Sequence, residues 1–133
     1  MTDTALARAF EAGSVPHADF DHLSHVRVAW VYLHEASSTE EALTRMRDAI
    51  RRFAAAAGAS QKYHETITVL WMRLLAEVKA AGKAGELADV LRAHPALADK
   101  ELPLQYYSRE RLFSDEARAA WVEPDRQPLG RLA

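Results

Sequence analysis

Two histidines stand three residues apart in the stretch FDHLSHVRVAW, residues 20–30, and a third follows in KYHETITVLW, residues 62–71. An imidazole can ligate a metal ion or transfer a proton near neutral pH. Apolar residues follow each of these rings, so the helices predicted here would turn His22, His25 and His64 inward. A buried polar group without a partner costs about 1–3 kcal/mol. The pattern therefore indicates a shared site in which the rings have a ligand.

The predicted helices would bring the three rings together. Helices over about 21–36, 38–58 and 60–82 are joined by short connections, which favours an up-down-up arrangement. The second and fourth helices of the chain then run parallel, with His22, His25 and His64 at the same end. Residues three apart on a helix have Cβ atoms about 5–6 Å from each other. We therefore predict that these three histidines bind one divalent metal ion, which could be zinc, iron or manganese, with open coordination positions.

Two side chains beside His64 are candidates for proton transfer. Glu65 could act as a catalytic carboxylate or be a solvated acid in the first helical turn, and Tyr63 could assist catalysis or pack in the core. Arg27 could clamp an anion or form a surface salt bridge. The sequence contains no H-E-x-x-H, glycine-rich phosphate loop, G-x-S-x-G or E-x-x-H motif, so the reaction stays open. A metal-dependent enzyme acting on a small molecule is one hypothesis.

A non-catalytic helical module is the alternative hypothesis. A single histidine on a helix face is usually a core or boundary residue with one satisfied hydrogen bond. The protein would then bind a small ligand, haem or a protein partner, with structural histidines. His17 could be a fourth ligand or a solvated loop residue. His34 lies about 18 Å along its helix from His22, too far to share the site, and His94 is predicted at a helix end.

Composition limits the class of protein. The chain has 133 residues, 49% of them hydrophobic, which is the size of one domain. The net charge of −2 comes from 17 basic and 19 acidic residues mixed along the chain, which argues against nucleic acid as a partner. There is no cysteine, which suits a reducing compartment. Without a signal-peptide pattern or an apolar run of membrane-spanning length, we expect a soluble, cytoplasmic protein and no membrane partner. The oligomeric state is left open.

The fold class predicted is all-α: a single-domain bundle of about five to six helices with an extended C-terminal tail. The core bundle would span about 4–94, and the last helix and tail about 95–133. Asp3 and Gly13 would delimit the first helix, 4–12. Ser38 and Glu41 have the spacing of a capping box, and Gly58 would end that helix. Ser114 would cap a last helix through Trp121, whose ring is predicted to anchor the tail.

Three longer motifs carry a resemblance. They are F-x-H-x-x-H-V-R-x-A-W-x-Y-L, K-Y-H-E-T-I-T-x-x-W and Y-Y-S-x-E-x-L-F-S-x-E-A-R-x-x-W-V-E-P-D, which span Phe20 to Asp125. Together they resemble a group of small, uncharacterised, all-helical bacterial proteins. The resemblance implies that the three histidines belong to the pattern of the group, and it implies no particular activity.

Overall fold

Capping residues and glycines divide the chain into helices. In the computed structural model, the described residues are 1–82 and 85–129, and these contain seven α-helices, four short 3-10 helices and no strand. The predicted all-α class is confirmed. No helix in these two ranges is long and apolar enough to cross a membrane. The chain divides into two compact units, 1–63 and 64–133. The predicted end of the core bundle near residue 94 stays a prediction.

Three α-helices form the N-terminal unit. They are α1 (Asp3–Glu11), α2 (His22–Glu35) and α3 (Thr39–Ala56), with 3-10 helices at His17–Asp19 and Ser60–Lys62. The N-cap of α1 is Thr2, whose Oγ1 accepts the Ala5 N–H at 3.1 Å, so the prediction of Asp3 was wrong by one residue. Gly13 and Gly58 follow α1 and α3 with φ of +72° and +69°, as the predicted helix ends require.

The centre of α2 is buried on every side. Residues 28–33 are all at most 7% exposed, and six successive residues cover more than one helical turn. Both α1 and α3 pack against α2, which explains why its buried surface is wider than a single stripe. Ser38 is the N-cap of α3, because its Oγ accepts the Glu41 N–H at 3.0 Å. The predicted capping box is only half formed, because the Glu41 carboxylate accepts from Ser37 instead of the Ser38 N–H.

A charged network joins the three helices of this unit. Arg8 donates to Glu11 at 2.6 Å and also to Glu35, and Arg45 donates to the same two carboxylates at 3.4 and 3.1 Å. The buried Tyr32 hydroxyl donates to Glu11 at 2.8 Å, and the Arg45 guanidinium lies 4.3 Å from the Tyr32 ring centre. Burial alone would raise the pKa of Glu11, but the hydrogen bonds from Arg8 and Tyr32 lower it.

Four α-helices lie in the described part of the C-terminal unit. They are α4 (Glu65–Ala81), α5 (Leu87–Ala93), α6 (Arg109–Leu112) and α7 (Asp115–Ala119), with 3-10 helices at Pro95–Ala98 and Leu102–Gln105. The predicted start of α4 near residues 60–62 was wrong, because those residues form a separate 3-10 helix. Ser114 caps α7 as predicted, but α7 ends before Trp121. The helix α6 was not predicted.

After α7 the chain runs extended as a strap, defined here as residues 120–126. Its backbone is held by side chains of the same unit. Thr66 Oγ1 donates to the Ala120 carbonyl at 2.9 Å and accepts the Val122 N–H at 3.2 Å, and the Tyr107 hydroxyl donates to the Val122 carbonyl at 2.6 Å. The helices α4 and α7 pack together, which brings Thr66 to the start of the strap. The extended tail is therefore tightly bound.

Two residues of the strap contribute side-chain anchors. Val122 is 5% exposed, and both Asp125 carboxylate oxygens accept hydrogen bonds of 2.7 Å from Ser108, one from its N–H and one from its hydroxyl. Trp121 was predicted as the anchor, but its ring is only half-buried, beneath the Arg73 guanidinium at 4.4 Å. Valine is the side chain that the unit encloses, because the main-chain bonds on either side turn it inward.

Candidate functional site

The first turn of α2 carries two of the predicted ligands. Asp21 caps this helix, with its Oδ1 accepting the Ser24 N–H at 3.0 Å and the Ser24 hydroxyl at 2.9 Å. His22 is therefore the first helical residue, and His25 lies one turn further on the same side. Both side chains are partly exposed. His22 and His25 therefore both lie in the first turns of α2, and a shared role for their imidazoles stays a prediction.

An aromatic cluster lies behind His25. Its ring meets the Phe20 ring edge-on at 4.6 Å, and Phe20 stacks on Phe10 at 4.2 Å with an interplanar angle of 3°. Burial, and to a smaller extent the nearby His22, lower the pKa of His25 to about 4, although Asp21 opposes the shift. At neutral pH the His25 imidazole is therefore uncharged, which is the form that ligates a metal ion.

His25 differs from three other histidines in its hydrogen bonding. His17 Nε2 donates to the Phe53 carbonyl at 2.8 Å, His34 Nδ1 donates to the Trp30 carbonyl at 2.8 Å, and His64 has two bonds. Over residues 1–82 and 85–129, the ring of His25 makes no hydrogen bond with the protein. A neutral imidazole in that state still has one nitrogen that can accept a proton or a metal ion.

His64 is placed differently from the prediction. It is the N-cap of α4 rather than a residue of the helix face, and its Nδ1 accepts the Ile67 N–H at 3.1 Å. Its Nε2–H donates to the Leu112 carbonyl at 2.6 Å, which fixes the tautomer. Burial lowers the pKa of His64, and the Leu112 bond only partly opposes this. Both nitrogens of this ring are engaged, so metal binding by His64 would require it to give up at least one of these bonds.

The three-histidine site stays a prediction. Within those residues, no group of three or more histidine, aspartate or glutamate side chains is arranged to hold one metal ion. His22 and His25 belong to the N-terminal unit and His64 to the C-terminal unit. The parallel arrangement of α2 and α4 stays a prediction.

The side chains predicted to assist catalysis have other contacts. The Arg51 guanidinium lies 4.7 Å from the centre of the Tyr63 ring, a cation–π contact that favours a packing role. Glu65 is the first residue of α4, where the helix dipole favours an acid. Arg27 donates to the Asp3 carboxylate at 2.6 Å and to the Met1 carbonyl at 2.6 Å. Of the two roles considered for Arg27, an anion clamp and a salt bridge, the structure contains the salt bridge. Catalysis by Glu65 and Tyr63 stays a prediction.

The remaining histidines flank other elements. His17 is exposed and stacks on Phe53 at 4.0 Å, so the aromatic cluster extends into the loop before α2. His94 ends α5, and its buried Nδ1 has no hydrogen-bond partner among the described residues. The side chains that bind the strap, Thr66 and Tyr107, were not singled out from the sequence.

Comparison with known proteins adds no assignment. No protein-family model, curated protein sequence or solved structure matches the chain. The resemblance to small bacterial proteins therefore stays a prediction.

Proposed function

We propose that the protein binds a divalent metal ion through His22 and His25, in the first turn of α2. The observation that carries this proposal is the state of His25, whose ring makes no hydrogen bond to the described residues although it packs against Phe20 beside a second imidazole. Nitrogen ligands one helical turn apart can reach one ion at about 2.0–2.1 Å, and zinc, iron and manganese are all candidates. The chain contains no cysteine, so a site with thiolate ligands is excluded.

A two-histidine site leaves coordination positions free. Structural zinc sites use four protein ligands, whereas catalytic sites keep at least one position for water or substrate. The proposed role is therefore the binding of a small molecule by the ion. The proposed location is the cytoplasm, because a chain without cysteine suits a reducing compartment. A catalytic contribution of Glu65 or Tyr63 would come in addition to this binding.

Metal titration of a set of variants tests the proposal. Protein purified without a histidine tag is stripped with chelator and titrated calorimetrically with zinc, manganese and ferrous iron. We expect one site per chain, with the affinity falling at least tenfold in His22→Ala and in His25→Ala. His34→Ala is the matched control, because His34 lies on the same helix and bonds to Trp30. No binding by the parent protein would refute the proposal.

A fourth variant separates this site from the three-histidine site. In His64→Asn the amide oxygen can replace Nδ1 as the acceptor for the Ile67 N–H, since asparagine is a good N-cap. The two-histidine proposal predicts unchanged zinc affinity in this variant. A tenfold loss would instead support the original triad.

One observation favours the alternative function. His17, His34 and His64 all donate to main-chain carbonyls, as structural histidines do. If His22 and His25 are structural as well, the protein is a non-catalytic helical module that binds a small ligand, haem or a protein partner. A Soret band in the purified protein would identify the haem form.

A further inference from the structure

The strap is held chiefly through its main chain. Four of its backbone atoms bond to side chains of the unit: the carbonyls of Ala120, Val122 and Glu123, and the Val122 N–H. The groups that bind them are the hydroxyls of Thr66 and Tyr107 and the guanidinium of Arg111, which donates to Glu123 at 2.6 Å. A further bond joins the Arg126 N–H to the Tyr106 carbonyl at 2.9 Å. Contacts of this kind do not depend on the side chains of the bound segment.

Four strap side chains contact the unit. Trp121 lies beneath the Arg73 guanidinium, and the Arg126 guanidinium donates to the Leu104 carbonyl at 3.0 Å. Val122 and Asp125 have the closest contacts. The unit encloses Val122, and Ser108 binds the Asp125 carboxylate at both oxygens. Grooves that bind extended peptides work in this way: main-chain hydrogen bonds give affinity, and pockets for alternate or spaced side chains give specificity. The spacing of valine and aspartate, three residues apart with proline between them, is the pattern that this groove selects.

We propose that the surface formed by Thr66, Tyr107, Ser108 and Arg111 is a peptide-binding groove, occupied here by the chain's own strap. Its partner is an extended segment of another protein with a valine followed three residues later by an aspartate. The tethered strap competes at an effective concentration on the order of millimolar, so it acts as an autoinhibitory ligand. A partner segment binds when the strap detaches locally.

Peptide binding to full-length variants tests this groove. The probe is a fluorescent peptide with the strap sequence AWVEPDRQ, residues 120–127, measured by anisotropy. Asp125→Ala weakens the strap but leaves the groove intact, so the peptide should bind this variant at least tenfold more tightly than the parent protein. A peptide with alanine in place of the aspartate should lose that gain. Val122→Ala is a second strap variant with the same expectation, should the first fold poorly.

The control is a groove variant on the same background. Thr66→Val is isosteric and removes both bonds to the strap backbone, so Asp125→Ala/Thr66→Val should have a still looser strap but lose at least tenfold in peptide affinity. Equal peptide binding by the single and double variants would mean adsorption to exposed apolar surface and would overturn the proposal. So would parent-like, weak binding in both Asp125→Ala and Val122→Ala when circular dichroism shows that they are folded.

Discussion

Acid should destabilise the metal-free protein through His25. Its ordinary pKa of 6.5 applies in the unfolded chain, and burial lowers the folded value to about 4. Because the unfolded state takes up this proton more readily, the free energy of unfolding is unaffected above pH 6.5 and falls as the pH drops from about 6.5 to 4. At about 1.36 kcal/mol per pH unit, the interval corresponds to a loss of about 3 kcal/mol.

His22 and Asp21 have smaller, opposite effects on the pKa of His25. A protonated His22 repels the charged form of His25, and Asp21 attracts it. Urea denaturation of chelator-treated protein between pH 7.5 and 4 measures the loss, with His25→Gln as the comparison because glutamine keeps a polar side chain that does not titrate. The free energy of unfolding of the parent, relative to that of the variant, should fall by about 3 kcal/mol as the pH drops across this range. A difference that stays constant with pH would refute the reasoning.

Three further substitutions have expected effects on stability, each measured by chemical denaturation. Ser38→Ala removes the cap of α3 and should cost about 1 kcal/mol, whereas Ser38→Asp, which keeps an acceptor, should cost much less. Tyr107→Phe leaves the buried Val122 carbonyl without its donor and should cost about 1–3 kcal/mol; a neutral result would show that another group satisfies that carbonyl. Gly58→Ala should cost about 1–2 kcal/mol from its φ of +69° alone, because an added Cβ meets nothing within 4 Å; Ala57→Gly is the control for general loosening of the helix end.

Local signals predicted the elements of the fold well. The N-cap at Ser38 and the glycines after α1 and α3 act within a few residues, so the nearby sequence is enough to predict them. The same reasoning failed at α4, where Ser60 is the better capping residue by type. The structure caps this helix with His64, since that ring is also held by a carbonyl 48 residues away, at Leu112. A contact of this range leaves no local pattern.

For the candidate site too, local spacing was predictable from the sequence and long-range arrangement was not. The sequence predicted that His22 and His25 lie three residues apart on one helix, and α2 contains both of them. Convergence with His64 depends on how distant helices are arranged, which periodicity does not determine. The strap shows the same limit: its prolines predict an extended chain, but the hydroxyls that bind it lie as far away in sequence as Thr66.

The most direct test of the metal proposal observes the imidazoles themselves. Untagged, chelator-treated protein with ¹³C-labelled histidine is titrated with zinc at pH 7 and followed by NMR. The ring resonances of His22 and His25 should shift together and saturate at one equivalent, while those of His34 and His64 stay in place because their nitrogens remain bonded to the protein. Unchanged His22 and His25 resonances at a tenfold excess of zinc would contradict the proposal.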